Sequence, residues 1–173
     1  IDSAGSLVAF STRAGLNLSD GDDGSLRRDV YTRDTDRRTT NWLSTTTVSN
    51  KDVGKLAVSG NGQWVFYHNH GSDVVLVRQS DEGGSPEHIR TLSGVSGAFV
   101  PGVGVAVDRA GEKAAFLDSG QVMVWDSATR GVVKISVAEY GSDADSACTD
   151  VAMSCDGSFL AFVYTATNIV SGN

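Results

Sequence analysis

Residues 154–162 read SCDGSFLAF: a polar turn ending in glycine, one further polar residue, then an apolar run closed by Ala-Phe. The same figure occurs three more times, as DSAGSLVAF (2–10), SGNGQWVFY (59–67) and DRAGEKAAF (108–116). The anchor glycines Gly5, Gly62, Gly111 and Gly157 are separated by 57, 49 and 46 residues. Spacing in this range marks a repeat architecture, in which each unit is one supersecondary element that buries its apolar faces against its neighbours. The turns GNG and CDG suit hairpins, because Asn-Gly and Asp-Gly tolerate positive φ.

The agreement extends on both sides of the anchor. A strand-like run precedes every turn but the first: VGKLAVS (53–59), VGVAVD (103–108) and TDVAMS (149–154). A third run follows the apolar segment, as DVYTRD (29–34), DVVLVRQ (73–79) and QVMVWD (121–126). A fourth closes the unit, as TTNWLS (39–44), EHIRTLS (87–93) and GVVKISV (131–137). These runs are rich in β-branched and aromatic residues and bounded by Gly, Asp, Asn and Ser, and no window carries a helical period. Four short antiparallel strands per unit of this length is the sheet of a propeller blade.

The turn S-x-D-G-x-x-x-A-F, followed by D-V-x-x-R-D and a closing T-T-x-x-L-S, resembles the TolB-type, WD-like β-propeller repeat. SCDGSFLAFVYTATNIVSGN at the end, and IDSAGSLVAF with RRDVYTRDTDRRTT at the start, carry the likeness most clearly. The expected fold is all-β, with about three to four propeller blades in a single segment over 1–173. The repeats fall at roughly 1–48, 49–97, 98–142 and a partial 143–173. Counted by strands, the chain runs three, four, four and two, which points to part of a larger propeller or an incomplete one. Open strand edges would then be completed by further chain or by other subunits. The first residue, Ile1, reads as following a processing or cloning boundary.

Composition limits the partners. The net charge is −7, and beyond Lys134 the chain has no Lys or Arg but five acids: Glu139, Asp143, Asp145, Asp150 and Asp156. Nucleic-acid binding needs a basic stripe for phosphate contacts, so it is not expected. No apolar run approaches the roughly 18–20 residues that span a bilayer. Cys148 and Cys155 flank a strand, which at about 3.3 Å per residue sets them too far apart to pair with each other. The resemblance implies an extracytoplasmic location, periplasmic, secreted or at the cell surface.

Long connections gather at one end of the expected blades: 11–28, 45–52, 94–102, 138–148 and 165–173. Binding residues concentrate on such loops, so this end is the expected recognition face. In the first connection Asp20, Asp22 and Asp23, with Asp29 beyond, offer hard oxygen ligands of the kind calcium prefers. Asx-turns and strand capping are the competing use of the same residues. His68 and His70 stand beside Asp73 in what reads as a turn over 68–73, and Asp143 and Asp145 lie in the acidic fourth-repeat loop. The tryptophans Trp42, Trp64 and Trp125 fall on strands of different repeats, where packing between blades competes with a sugar-stacking platform.

No G-x-S-x-G elbow, H-E-x-x-H helix or phosphate loop is present, so a non-catalytic reading leads. It is a binding or scaffold module for a protein or glycan, with calcium as the one cofactor considered. An accessory or gating propeller of a TolB-like peptidase or other hydrolase, and a structural subunit of a larger assembly, are the alternatives.

Overall fold

The computed structural model describes residues 1–13, 28–44, 53–69, 73–78, 87–92, 104–138 and 141–169, with backbone alone at 54, 69, 73–78 and 87–92. Thirteen strands and no α-helix occur among them, so no helix there is long and apolar enough to cross a membrane. The first sheet holds β1 (Leu7–Thr12), β2 (Asp29–Asp34) and β3 (Thr39–Trp42) in sequence order. The second holds β4 (Val53–Val58), β5 (Trp64–Asn69), β6 (Asp73–Arg78) and β7 (Glu87–Leu92). The third holds β8 (Ala106–Val107), β9 (Lys113–Asp118), β10 (Gln121–Asp126) and β11 (Gly131–Lys134). The fourth pairs β12 (Cys148–Met153) with β13 (Leu160–Tyr164). Every pairing is antiparallel. These are propeller blades, as the repeats predict.

The repeated turn is built the same way each time. Asp2, Ser59 and Ser154 donate backbone N–H to the carbonyl five residues on, at 2.9–3.0 Å, and their side chains accept the N–H of that same residue. At Asp108 the same backbone bond reaches Lys113 O at 3.2 Å, while its Oδ1 accepts the N–H of Glu112, one residue sooner. An Asp or Ser at this position supplies a second acceptor where the reversing chain has none, which is why these residue types recur. Burial works to raise the Asp2 carboxyl, but hydrogen bonds from Leu7 N–H and from Ser6 outweigh it and hold its pKa below the ordinary 3.8.

The other recurrent device ends the outer strands. The sequence predicts strands over 39–44 and 131–137, whereas β3 stops at Trp42 and β11 at Lys134. In both sheets one more backbone bond forms, Leu43 N to Val30 O and Ile135 N to Val122 O, each 2.8 Å. A serine hydroxyl then takes the place of the next carbonyl. Val30 N–H donates to Ser44 Oγ at 3.2 Å and Val122 N–H to Ser136 Oγ at 2.9 Å. The hydroxyls pass their own hydrogens to Asp29 Oδ1 and Gln121 Oε1. The ladder is satisfied by a side chain, so the strand ends early.

The core consists of layers between successive sheets. Val30 and Leu43 of the first sheet meet Val53, Val65 and Tyr67 of the second. Phe66 meets Ala114, Phe116 and Trp125 of the third, and the Phe66 and Trp125 rings lie tilted at 55° with centroids 5.8 Å apart. Ala115, Leu117 and Val122 meet Cys148 and Val151 of the fourth. Strand alternation divides the residues: Val65 and Tyr67 face back, Trp64, Phe66 and His68 face forward. Full burial of a Phe or Val contributes roughly 1.5–3 kcal/mol, so these layers hold the blades in order.

Candidate functional site

The two ends of the blades differ in construction. At one end the short turns are bonded to each other across blades. Ser3 N–H donates to Gly60 O, Asn61 N–H to Arg109 O and Arg109 N–H to Cys155 O, at 2.7–2.9 Å. The turns after β2 and β10 join this rim through Thr35 N–H to Ser6 O and Ser127 N–H to Glu112 O, both 2.8 Å. Asp34 holds the first of them by accepting Asp36 and Arg37 N–H. The Arg37 N–H, followed by its guanidinium, keeps the Asp34 carboxyl below its ordinary value. Such turns are consumed in holding the blades together.

The opposite end carries the long connections, and its described part is a polar clamp between 141–147 and 165–168. Asp145 is its centre. Its Oδ2 accepts Thr167 Oγ1–H at 2.7 Å, its Oδ1 accepts Thr167 N–H at 2.9 Å, and its own N–H donates to Asn168 Oδ1 at 3.0 Å. Asn168 Nδ2 donates to Asp143 O at 2.9 Å, and the hydroxyls of Ser146 and Thr165 lie 2.6 Å apart. The Thr167 hydroxyl, then the Thr167 N–H, hold the Asp145 carboxyl below its ordinary pKa. Asp143 pairs with Lys134 Nζ at 2.5 Å and keeps 61% of its side chain exposed. Underneath, Gly120 O accepts both Cys148 N–H at 2.8 Å and Tyr164 Oη–H at 3.0 Å, tying the third sheet to the fourth.

The sequence-predicted residues separate. Asp143 and Asp145 share this loop and are both exposed, Asp143 paired with Lys134 and Asp145 bonded to Thr167 in the clamp. The turn predicted over 68–73 is shorter, because β5 runs to Asn69 and β6 begins at Asp73, pairing His68 with Val74 and Asn69 with Asp73. His68 is therefore a strand residue, half-buried, on the side of β5 that faces the third sheet. His70 and the side chain of Asp73 lie outside the described residues. So do Asp20, Asp22 and Asp23. Asp29 is described, and its Oδ1 accepts the Ser44 hydroxyl at 2.7 Å. Among the described residues no three His, Cys, Asp or Glu side chains converge on a metal position.

The cysteines are both free, Cys148 buried and Cys155 exposed. Burial pushes the Cys148 thiol up, and its Sγ–H donates to Asp150 O at 3.2 Å. Trp64 and Trp125 pack in the layer between the second and third sheets, whereas Trp42 donates Nε1–H to Ser44 Oγ on its own sheet at 2.8 Å. Thr167, Asn168, Ser146 and Lys134 of the clamp carry no local sequence signal. The bonds between the loop and 165–168 span 19 to 25 residues, and only the fold brings the two segments together.

No protein-family model matches the chain, and no curated protein matches it. Solved structures do. The chain is similar to the β-propeller domain of Cps50 (Swd1) from Myceliophteria thermophila, with TM-score 0.63 and 10% identity over 95% of this chain and 48% of that one. It is similar to a chain of the mitotic checkpoint complex, with TM-score 0.56 and 19% identity over 80% and 38%. It is also similar to the tricorn protease, with TM-score 0.55 and 16% identity over 92% and 14%. The chain thus spans less than half the length of each. At these identities the likeness establishes the β-propeller fold, and the TolB-type assignment is narrower than it reaches.

Proposed function

We propose that the chain is a non-catalytic β-propeller module that docks a protein partner through the loop end carrying 141–147 and 165–168. The supporting observation is the Asp145 clamp. Three hydrogen bonds fix a connection that would otherwise lose conformational freedom on binding, and a pre-ordered loop binds at lower entropic cost. Asp143 stands exposed on it, within a stretch beyond Lys134 that has acids and no bases. The reading therefore favours a basic protein surface over a neutral glycan. Calorimetric titration with a Lys/Arg-rich peptide and with neutral oligosaccharides tests it. Peptide binding that weakens with salt and is lost in Asp143→Asn supports the proposal. Saccharide binding alone, or binding indifferent to Asp143, refutes it.

Calcium at Asp20, Asp22, Asp23 and Asp29 remains part of the proposal as a means of ordering the first long connection. In an extracytoplasmic setting an affinity of roughly 10⁻⁴–10⁻³ M suffices for such a role. A calcium titration followed by thermal melting decides it: an unchanged melting temperature removes the metal. The similarity to the tricorn protease favours a second reading, an accessory propeller of a peptidase. A hydrolase segment in the same open reading frame is the observation that reading requires.

A further inference from the structure

The residue before the anchor glycine is Ala4, Asn61, Ala110 and Asp156 in the four repeated turns. Asn61 and Asp156 are used alike within their own turns. Asn61 Oδ1 accepts the Ser59 hydroxyl at 2.6 Å and Gln63 N–H at 3.0 Å. Asp156 Oδ1 accepts the Ser154 hydroxyl at 2.6 Å and Ser158 N–H at 3.1 Å. They differ in the other side-chain atom. Asn61 Nδ2 donates to Ala110 O, 3.1 Å away in the turn of the next blade, whereas a carboxylate has no hydrogen to give. This bond runs beside Asn61 N–H to Arg109 O at 2.9 Å. One residue thus ties the second turn to the third through both its backbone and its side chain.

Asn61 is also the one asparagine in the chain that is followed by glycine. With no side chain on the next residue, a backbone nitrogen can approach the carboxamide carbon closely. Attack by Gly62 N on Asn61 Cγ forms a C–N bond and closes a cyclic imide. The Cγ–Nδ2 bond breaks, and ammonia leaves carrying the Gly62 amide proton. Water then opens the imide, giving aspartate by cleavage at Cγ or isoaspartate by cleavage at the Asn61 backbone carbonyl. Asn61 is exposed, so water reaches it.

In the closed rim both reacting groups are held. Gly62 N–H donates to Ser59 O at 2.9 Å, which keeps its proton in place. The Asn61 carboxamide is bonded at oxygen and at nitrogen, so it is not free to turn towards Gly62.

We propose that Asn61 is a site of spontaneous deamidation, held back by the contact between the second and third turns, and that conversion to aspartate removes that contact. Asp156 shows that the turn itself keeps its shape around a carboxylate, with Gly157 N–H still donating to Ser154 O at 2.9 Å. The loss therefore falls on the bond between blades. Two acceptors, the new carboxylate and Ala110 O, face each other where a donor stood.

Peptide mapping by mass spectrometry follows conversion at residue 61 in the intact chain at neutral pH, folded and in urea. Conversion in the folded chain is expected to be at least about tenfold slower than in the unfolded one, because the turn must first open. Gly60→Ala loosens the rim while leaving both reacting residues in place: a Cβ there would stand 2.6 Å from Ser3 Oγ and 2.8 Å from Arg109 Cγ. That variant is expected to convert faster than the wild type. Should it unfold, the wild-type chain in urea below its unfolding transition takes its place, with conversion rising before tryptophan fluorescence changes. Asn61→Asp, the product itself, is expected to speed hydrogen exchange about tenfold at the residue-61 amide, which donates across to Arg109 O. Exchange at the Gly62 amide, bonded within the turn, stays as it was. Equal conversion in the folded and unfolded chain, or none in either, overturns the proposal. So does a loosened rim that converts no faster, or an Asn61→Asp chain whose residue-61 exchange is unchanged.

Discussion

Trp64 of the second blade lies so closely over Gly111 of the third that a β-carbon there would overlap the indole ring. Gly111 also adopts φ of 76°. One glycine thus meets two demands at once: a left-handed turn and a surface flat enough for its neighbour's largest side chain.

Gly111→Ala is expected to lose about 2–5 kcal/mol, adding overpacking to left-handed strain. Gly141, with φ of 79° and nothing within 4 Å among the described residues, isolates the backbone part. Gly141→Ala is expected to lose about 1–2 kcal/mol. Urea unfolding of the two variants measures the difference. Equal losses would show that Trp64 yields without cost.

Ser136 is fully buried and serves both Val122 N–H and Gln121 Oε1. Ser136→Ala leaves the amide of a buried valine without its acceptor, an expected loss of about 1–3 kcal/mol. Ser44→Ala, at the half-buried equivalent, should cost less because water can replace the hydroxyl. Chemical denaturation of both variants ranks them.

Asp145→Ala should release 141–147 from 165–168 while leaving the blades folded. Hydrogen exchange at the Thr167 amide, which donates to Asp145 Oδ1, is expected to accelerate. Exchange at Phe116 and Val122, inside the third sheet, should not change. Uniform acceleration would mean that the clamp holds the sheet itself.

Asp156 accepts the Ser154 and Ser158 hydroxyls and the Ser158 N–H, which together lower its pKa from 3.8 to about 2. Because the folded value lies below the unfolded one, its contribution is present above about pH 4 and is lost as pH falls towards 2. Asp145 and Asp34 shift in the same direction. Asp156→Asn should therefore flatten part of the decline in stability between pH 4 and 2, by a small amount since the carboxylate is solvent-exposed. Melting temperatures read across that window check the slope, and an unchanged slope would place the loss at other carboxylates.

Much of the blade architecture was legible because its determinants are local. An Asp or Ser, a left-handed glycine and an alternating apolar run act within about ten residues, so SCDGSFLAF specifies its hairpin wherever it sits. Charge in the last forty residues was legible for the same reason. What tertiary structure decided are the relationships between segments remote in sequence. It moved His68 from a supposed turn into a strand facing the next sheet, because the ladder with Val74 extends beyond the turn residues. It made Asp145 a structural acceptor, a role set by Thr167 and Asn168 more than twenty residues away, and paired Asp143 with Lys134. Strand alternation is written in the sequence, but which of the two faces meets a neighbour depends on how the sheets stack. That stacking covers Trp64 and leaves Phe159 in solvent.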